Sequence, residues 1–94
     1  MSKLNELKVI FKNKVVSFSI GADIIAIYVN NIEELAGELF ILGNIASSST
    51  VNDWAEGVFC GVAWNKITDF MVFDTQEIYT EAMEKSRDFS NEEQ

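Results

Sequence analysis

The first third of the chain follows a period of two. Residues 7–11 and 16–20 alternate apolar with polar or smaller side chains, a pattern typical of strands with one buried face. Residues 24–29 are apolar at every position, so a third strand is expected to be covered on both sides or to lie in an oligomer interface. Residues 12–14 and the pair Gly21-Ala22 supply turns between these strands.

Beyond residue 30 the apolar spacing lengthens to that of a helix. Asn31 followed by Glu34 resembles a capping box, and Gly43-Asn44 is suited to end a helix. Residues 50–67 predict a second helix with a stripe of Val51, Trp54, Ala55, Val58, Val62 and Ile67. Periodicity does not assign residues 70–73, and a third helix follows to about Arg87.

The predicted fold class is therefore α+β, a three-stranded antiparallel meander followed by three helices packed on it. The alternative is a mostly helical bundle, in which residues 20–45 form one or two helices. A chain of 94 residues is one small domain, and residues 89–94 are expected to be a frayed acidic tail.

The third predicted helix carries an acidic ladder with spacings of three, four, three and four residues. On a helix these carboxylates form one stripe, opposite the apolar Ile78, Ala82 and Met83. Like charges at such spacings repel, so the stripe is either a solvated face or the docking site of a basic partner. The ladder consists of Asp74, Glu77, Glu81, Glu84 and Asp88, with Asp53 and Glu56 as extensions.

Charge narrows the classes of partner. The net charge is −8, and it is uneven, because residues 1–14 hold four lysines against one glutamate. Direct binding to nucleic acid or to an anionic membrane is disfavoured, since both need basic residues. A basic protein surface is the favoured partner, and the alternative is that acidity only maintains solubility. We expect a soluble cytoplasmic protein, because the single cysteine fits a reducing compartment and residues 15–29 are too short to span a membrane.

Candidate catalytic chemistry is sparse. The chain has no histidine and one cysteine, which excludes a standard structural zinc site and a Cys–His nucleophile within one chain. Cys60 is predicted to be a small buried hydrophobe. The carboxylate pairs Glu33/Glu34 and Asp53/Glu56 are interpreted as charges in the first turns of helices. We therefore expect no enzymatic activity, no cofactor and no metal.

Two further groups of residues suggest alternatives. Gly57 and Gly61 form a G-x-x-x-G on the second predicted helix, which indicates either close internal packing or a homodimer seam. In the alternative of a protein that sequesters a small ligand, Trp54, Trp64 and Tyr28 are expected to line a pocket between sheet and helices.

The leading hypothesis is a small acidic inhibitor that binds a basic surface of a nucleic-acid-handling enzyme, with its ladder imitating a row of phosphates. In size, charge and lack of catalytic groups the chain resembles phage anti-restriction and anti-CRISPR proteins and toxin-immunity proteins, although no motif assigns it to a named family. The alternatives are a homo-oligomeric structural or regulatory module and a protein that sequesters a small ligand.

Overall fold

The computed structural model describes residues 3–92, with the side chains of residues 51 and 87–92 excepted. Within this part of the chain, one five-stranded antiparallel sheet in the order β4-β3-β2-β1-β5 is combined with two helices. The predicted three helices on a three-stranded meander are wrong, and so is the alternative helical bundle. The elements are α1 (Lys3–Phe11), β1 (Val15–Ile20), β2 (Asp23–Leu35), β3 (Glu38–Ile45), β4 (Phe59–Ala63), β5 (Asp69–Phe73) and α2 (Gln76–Glu92).

The strands predicted at residues 16–20 and 24–29 are confirmed. They form the β1–β2 hairpin, in which Ile20 pairs with Asp23 across the Gly21-Ala22 turn. The strand predicted at residues 7–11 is instead part of α1. Leu7 and Phe11 are four residues apart and lie on the buried side of that helix, whereas Val9 is 81% exposed.

The helix predicted at residues 31–43 is instead the β2–β3 hairpin. Ala36 and Gly37 turn the chain with positive φ angles of 52° and 85°. The register between β2 and β3 shifts between Val29 and Asn31, so Val29 and Ile32 are both fully buried although they are three residues apart. The apolar spacing that predicted the helix lies after this bulge and runs across the hairpin turn, so it marks no helical face. Its residues are Ile32, Leu35, Ala36, Leu39 and Leu42.

The second predicted helix is also wrong. Residues 50–67 form a loop with a single 3-10 turn (Val51–Asp53), then β4, then a second 3-10 turn (Trp64–Lys66). Gly57 has a φ of 82°, which an α-helix does not contain. The third predicted helix is confirmed as α2, which continues to Glu92.

The sheet curls around its main core. In a flat sheet of five strands, β4 and β5 at the two edges would lie about 19 Å apart. Residues 64–68 connect them and spend three of their five residues in a 3-10 turn, so the edges must approach one another. Phe11 of α1 lies in the space between, with its ring centroid 6.0 Å from Trp64 and 4.9 Å from Phe70. Further core residues include Val16, Phe18, Ile27, Val29, Ile32, Ile41 and Val62.

A second, smaller core attaches α2 to the outer face of the sheet. Tyr79 is 4% exposed and packs with Val15, Ala26 and Ala46. Its ring makes an edge-to-face contact with Phe73, the last residue of β5, at a centroid distance of 5.3 Å. The first turns of α2 are therefore fixed against the sheet at the end of β5.

Candidate protein-docking surface

The acidic ladder lies on the solvent side of α2. Glu77, Glu81 and Glu84 are exposed, and Asp74 precedes the helix with 72% of its side chain exposed. Asp74 forms an ion pair with Lys14, with 2.7 Å between Asp74 Oδ1 and Lys14 Nζ. This is the only ion pair among the described side chains. The side chain of Asp88 lies outside the described residues. The three glutamates therefore form a carboxylate stripe with no cation bound to it among the described side chains.

The buried side of α2 agrees only in part with the predicted apolar stripe. Met83 is partly buried against the smaller core, but Ile78 is 45% exposed, and Tyr79 is the residue that is buried against the sheet. Gln76 adds a polar anchor, because its amide donates to the Ser47 carbonyl at 3.2 Å and to the Thr80 hydroxyl at 2.9 Å. A periodicity search for aliphatic residues misses Tyr79, whose ring is apolar and whose hydroxyl is polar.

Burial raises the pKa of the Tyr79 phenol. A side-chain hydrogen bond with Ser49 lowers that pKa, and the negative charge of Asp53 raises it further. Ser49 also accepts a hydrogen bond from the Ala26 amide at 2.9 Å, so this hydroxyl links the β3–β4 loop to both β2 and α2. The loop is thereby positioned beside the first turn of α2.

Asp53 and Glu56, the predicted extensions of the ladder, lie in this loop. Asp53 accepts a 2.6 Å hydrogen bond from the Ser48 amide and therefore also shapes the loop. Glu56 is exposed. Because the charge of Asp53 acts on Tyr79, Asp53 lies near the base of the acidic helix, although not on its stripe.

β5 gives this acidic region an apolar border. Phe70, Met71 and Val72 are 39%, 60% and 38% exposed, which is unusual for three consecutive large apolar residues of a sheet. Consecutive strand residues point to opposite faces, so Met71 lies on the face that carries α2, whereas Phe70 and Val72 lie on the face of Phe11. Two residues separate β5 from α2, so the end of this strand and the start of the acidic helix are adjacent. In the sequence, residues 70–73 are an apolar run without a period. The run therefore does not predict an exposed apolar strand. An apolar centre beside a charged rim is the usual composition of a protein-binding surface.

A second apolar surface lies on the outer face of β2, β3 and β4. Tyr28, Asn44 and Phe59 are cross-strand neighbours in one row, and Phe59 is 63% exposed. The next row contains Leu42 and Gly61, and a Cβ built on Gly61 would lie 2.9 Å from the Leu42 Cδ2 atom. Gly61 thus makes room for the Leu42 side chain within the sheet.

The predicted G-x-x-x-G helix face is not formed, because Gly61 is in β4 and Gly57 is in the loop before it. The Gly57 carbonyl accepts a 3.0 Å hydrogen bond from the Asn44 side chain. The spacing of four residues that suggested a helix seam has no such meaning in this loop and strand.

The three aromatics predicted to line a ligand pocket do not meet. Trp54 is 78% exposed in the β3–β4 loop, Tyr28 is on the outer face, and Trp64 packs against Phe11 and Phe70. Trp64 does border an open cleft of about 300 Å³ together with Lys3, Glu34, Gly37, Glu38, Leu39 and Asn65. Glu38 accepts a 3.1 Å hydrogen bond from Asn65 there.

The candidate catalytic residues are dispersed. Glu33 and Glu34 are consecutive in β2 and therefore point to opposite faces of the sheet, rather than lying in a helical first turn. Cys60 is half-buried in β4, and burial raises the pKa of its thiol. Among the described residues no group of three or more His, Cys, Asp or Glu side chains is arranged to hold a metal.

Comparison with known proteins found no matching family model, no similar curated protein and no similar solved structure. None of the helices in residues 3–92 has the length and apolar character needed to cross a membrane.

Proposed function

We propose that this protein is a small acidic, non-catalytic inhibitor that binds a basic surface on a nucleic-acid-handling enzyme through α2. The observation that carries the proposal is the exposed stripe of Glu77, Glu81 and Glu84 on a helix that Tyr79 fixes to the sheet. A rigidly attached stripe presents its charges in one geometry, which favours recognition over mere solubility.

The energetics of the stripe support a basic partner. Carboxylates three and four residues apart on one helix face repel each other, which destabilises the free helix by a few tenths of a kcal/mol per pair, on the order of the peptide values. A partner with lysines or arginines opposite the stripe removes this repulsion and is steered to it by the net charge of −8. The ladder repeats at about the 5.4 Å pitch of the helix, so it can occupy a groove built for phosphates.

The test compares two triple variants of equal charge change. E77K/E81K/E84K reverses the stripe, whereas E33K/E34K/E38K reverses three exposed glutamates of the β2–β3 hairpin. Each tagged variant and the wild type is used to capture proteins from the host lysate, and circular dichroism confirms that each is folded. We expect the wild type and the hairpin variant to retain a basic protein that the stripe variant loses.

The captured protein is then assayed for nuclease or other nucleic-acid-dependent activity with increasing amounts of the wild-type chain. Inhibition that the stripe variant does not produce is the expected result. Equal capture by the two folded variants would show that binding does not depend on α2.

A homo-oligomeric module is the second candidate, and the exposed Tyr28–Phe59 row supports it. The sequence predicts that residues 24–29, now part of β2, are covered or lie in an oligomer interface. Two of these residues, Ile24 and Tyr28, are exposed on the outer face. If this face joins two copies, sedimentation should show a concentration-dependent mass, and the double substitution of Tyr28 and Phe59 by serine should abolish it. A constant monomer mass for the wild type would exclude this candidate.

A further inference from the structure

The free edge of β5 is the strongest unassigned feature of the sheet. In the described part of the chain β5 is the last strand of the order β4-β3-β2-β1-β5, and it pairs with β1 along all five of its residues without a register shift. Its other edge therefore presents main-chain donors and acceptors that no described strand takes up.

The hydrogen-bond alternation identifies which groups face outward. The Lys14 carbonyl accepts from Val29 of β2, whereas the Ser19 carbonyl accepts from Thr68 on the side of β5. Alternate residues of β1 bond to opposite neighbours, so Val15, Ser17 and Ser19 face β5. Their partners are Phe73, Met71 and Asp69, and the amide and carbonyl groups of Phe70 and Val72 therefore point away from the sheet.

β5 lacks the devices that normally protect an edge. Its three central residues are large, apolar and exposed, and it contains no lysine, proline or bulge. Its charges lie only at its ends, where Asp69 begins the strand and Asp74 follows it. An apolar edge with an acid at each end is suited to an extended segment with apolar residues in its centre and basic residues at its ends.

We infer that an extended basic segment of the partner adds to β5 as a sixth strand. This inference rests on the proposed function, and it specifies how the partner is bound: main-chain hydrogen bonds to Phe70 and Val72, with lysines or arginines beside Asp69 at one end and Glu77 at the other. Asp74, which follows the strand, is already paired with Lys14. A second copy of this chain fits the edge poorly. An antiparallel copy would place Asp69 beside Asp74, and a parallel copy would place each aspartate beside its equivalent.

The probe is a synthetic peptide, Lys-Lys-Val-Thr-Val-Thr-Lys-Lys, titrated into the isotope-labelled wild-type protein. The control peptide has the same sequence and charge, with N-methyl groups on its four central residues to block main-chain hydrogen bonds. We expect the unmodified peptide to shift the Phe70 and Val72 amide resonances and to protect them from hydrogen exchange. The methylated peptide should bind at least tenfold more weakly.

A variant of the protein provides an independent measurement. Val72→Pro removes one outward amide without removing a hydrogen bond to β1, and proline is tolerated at sheet edges. A tenfold weaker affinity for the unmodified peptide is expected. If this variant does not fold, the comparison of the two peptides alone decides whether the peptide adds to β5 as a strand.

The outcomes separate this inference from the proposed function. Equal binding of the two peptides, with shifts confined to α2, would overturn strand addition while leaving basic docking on the stripe intact. Absence of binding by either peptide would also overturn it, and the lysate capture would judge the proposed function separately. Concentration-dependent protection of Phe70 and Val72 in the free protein would identify a second copy as the occupant instead.

Discussion

At the scale of single residues, Gly43 is the glycine of the sheet at which a side chain is tolerated least. A Cβ built on Gly43 would collide with the backbone carbonyl of Tyr28 on the neighbouring strand, beside the β-bulge. A backbone obstacle cannot rotate away, so we expect Gly43→Ala to lower the free energy of unfolding by about 2 kcal/mol or more, in the upper part of the usual range for overpacking.

The matched control is Gly61→Ala, one strand away. Its nearest obstacle is the Leu42 Cδ2 atom at 2.9 Å, which is the end of a flexible side chain. Urea denaturation of both variants measures the difference. Similar losses at Gly43 and Gly61 would contradict the register assigned between β2 and β3.

Tyr79 makes stability depend on pH. Because burial raises the pKa of its phenol, the folded state favours the neutral form, and the unfolded chain loses this proton first as the pH rises above about 10. The contribution is therefore complete below about pH 10 and is lost as the pH rises through the folded pKa. Tyr79→Phe lacks this titration but also loses the hydrogen bond with Ser49, which costs about 1 kcal/mol at neutral pH.

We therefore expect the wild type to be more stable than Tyr79→Phe at pH 7, with the difference shrinking as the pH passes 10. Urea denaturation between pH 7 and pH 11 provides the measurement. A difference that stays constant over this range would mean that Tyr79 does not titrate differently in the two states.

At the scale of elements, the sequence predicted β1 and α2, in which one apolar period runs unbroken, and the first half of β2, which is a continuous apolar run. A period alone is not sufficient, because residues 7–11 alternate as a strand would and nevertheless lie in α1. The β2–β3 hairpin was predicted as a helix because Ile32, Leu35 and Leu39 have helical spacing across its turn. Ala36 turns the chain with a φ of 52°, and an alanine gives no signal for such a turn in the sequence.

The candidate docking surface also has a part that the sequence predicted and a part that it did not. The exposed ladder on α2 followed from spacing alone, since it depends only on the helix that carries it. The apolar border on β5 depends on which strand lies at the sheet edge, and this order is fixed by long-range pairing that joins Ser17 to Met71. The loop that brings Asp53 to Tyr79 is likewise set by tertiary contacts.

The attachment of α2 gives an element-scale prediction. Tyr79→Ala should remove most of the buried contact between α2 and the sheet, and large-to-alanine core substitutions cost roughly 3–5 kcal/mol. Ile78→Ala is the control, because Ile78 is the neighbouring residue on the exposed side. Hydrogen exchange should show that Tyr79→Ala loses protection along α2, while Ile78→Ala retains it. Equal protection in both variants would show that other contacts hold the helix.

At the scale of the whole molecule, we expect repulsion among the acidic side chains to outweigh ionic attraction. The net charge is −8, and the described side chains form one ion pair, Lys14–Asp74. Salt screens both the repulsion and the attraction, and the larger of the two determines whether added salt raises or lowers the stability. We therefore expect the Tm of the wild type to rise as sodium chloride increases from about 0.02 M to 0.5 M, where the Debye length falls from roughly 20 Å to about 4 Å.

Two neutral triple variants locate the source of this salt dependence. E77Q/E81Q/E84Q and E33Q/E34Q/E38Q reduce the net charge equally, so a purely global effect would lower the salt dependence of both by the same amount. Because the ladder carboxylates are closely spaced on one helix face, we expect the stripe variant to lose more of it than the hairpin variant. Calorimetry across the salt series measures this difference. Identical slopes would mean that the stripe stores no local repulsion, and a basic partner would then gain only the long-range attraction of the net charge.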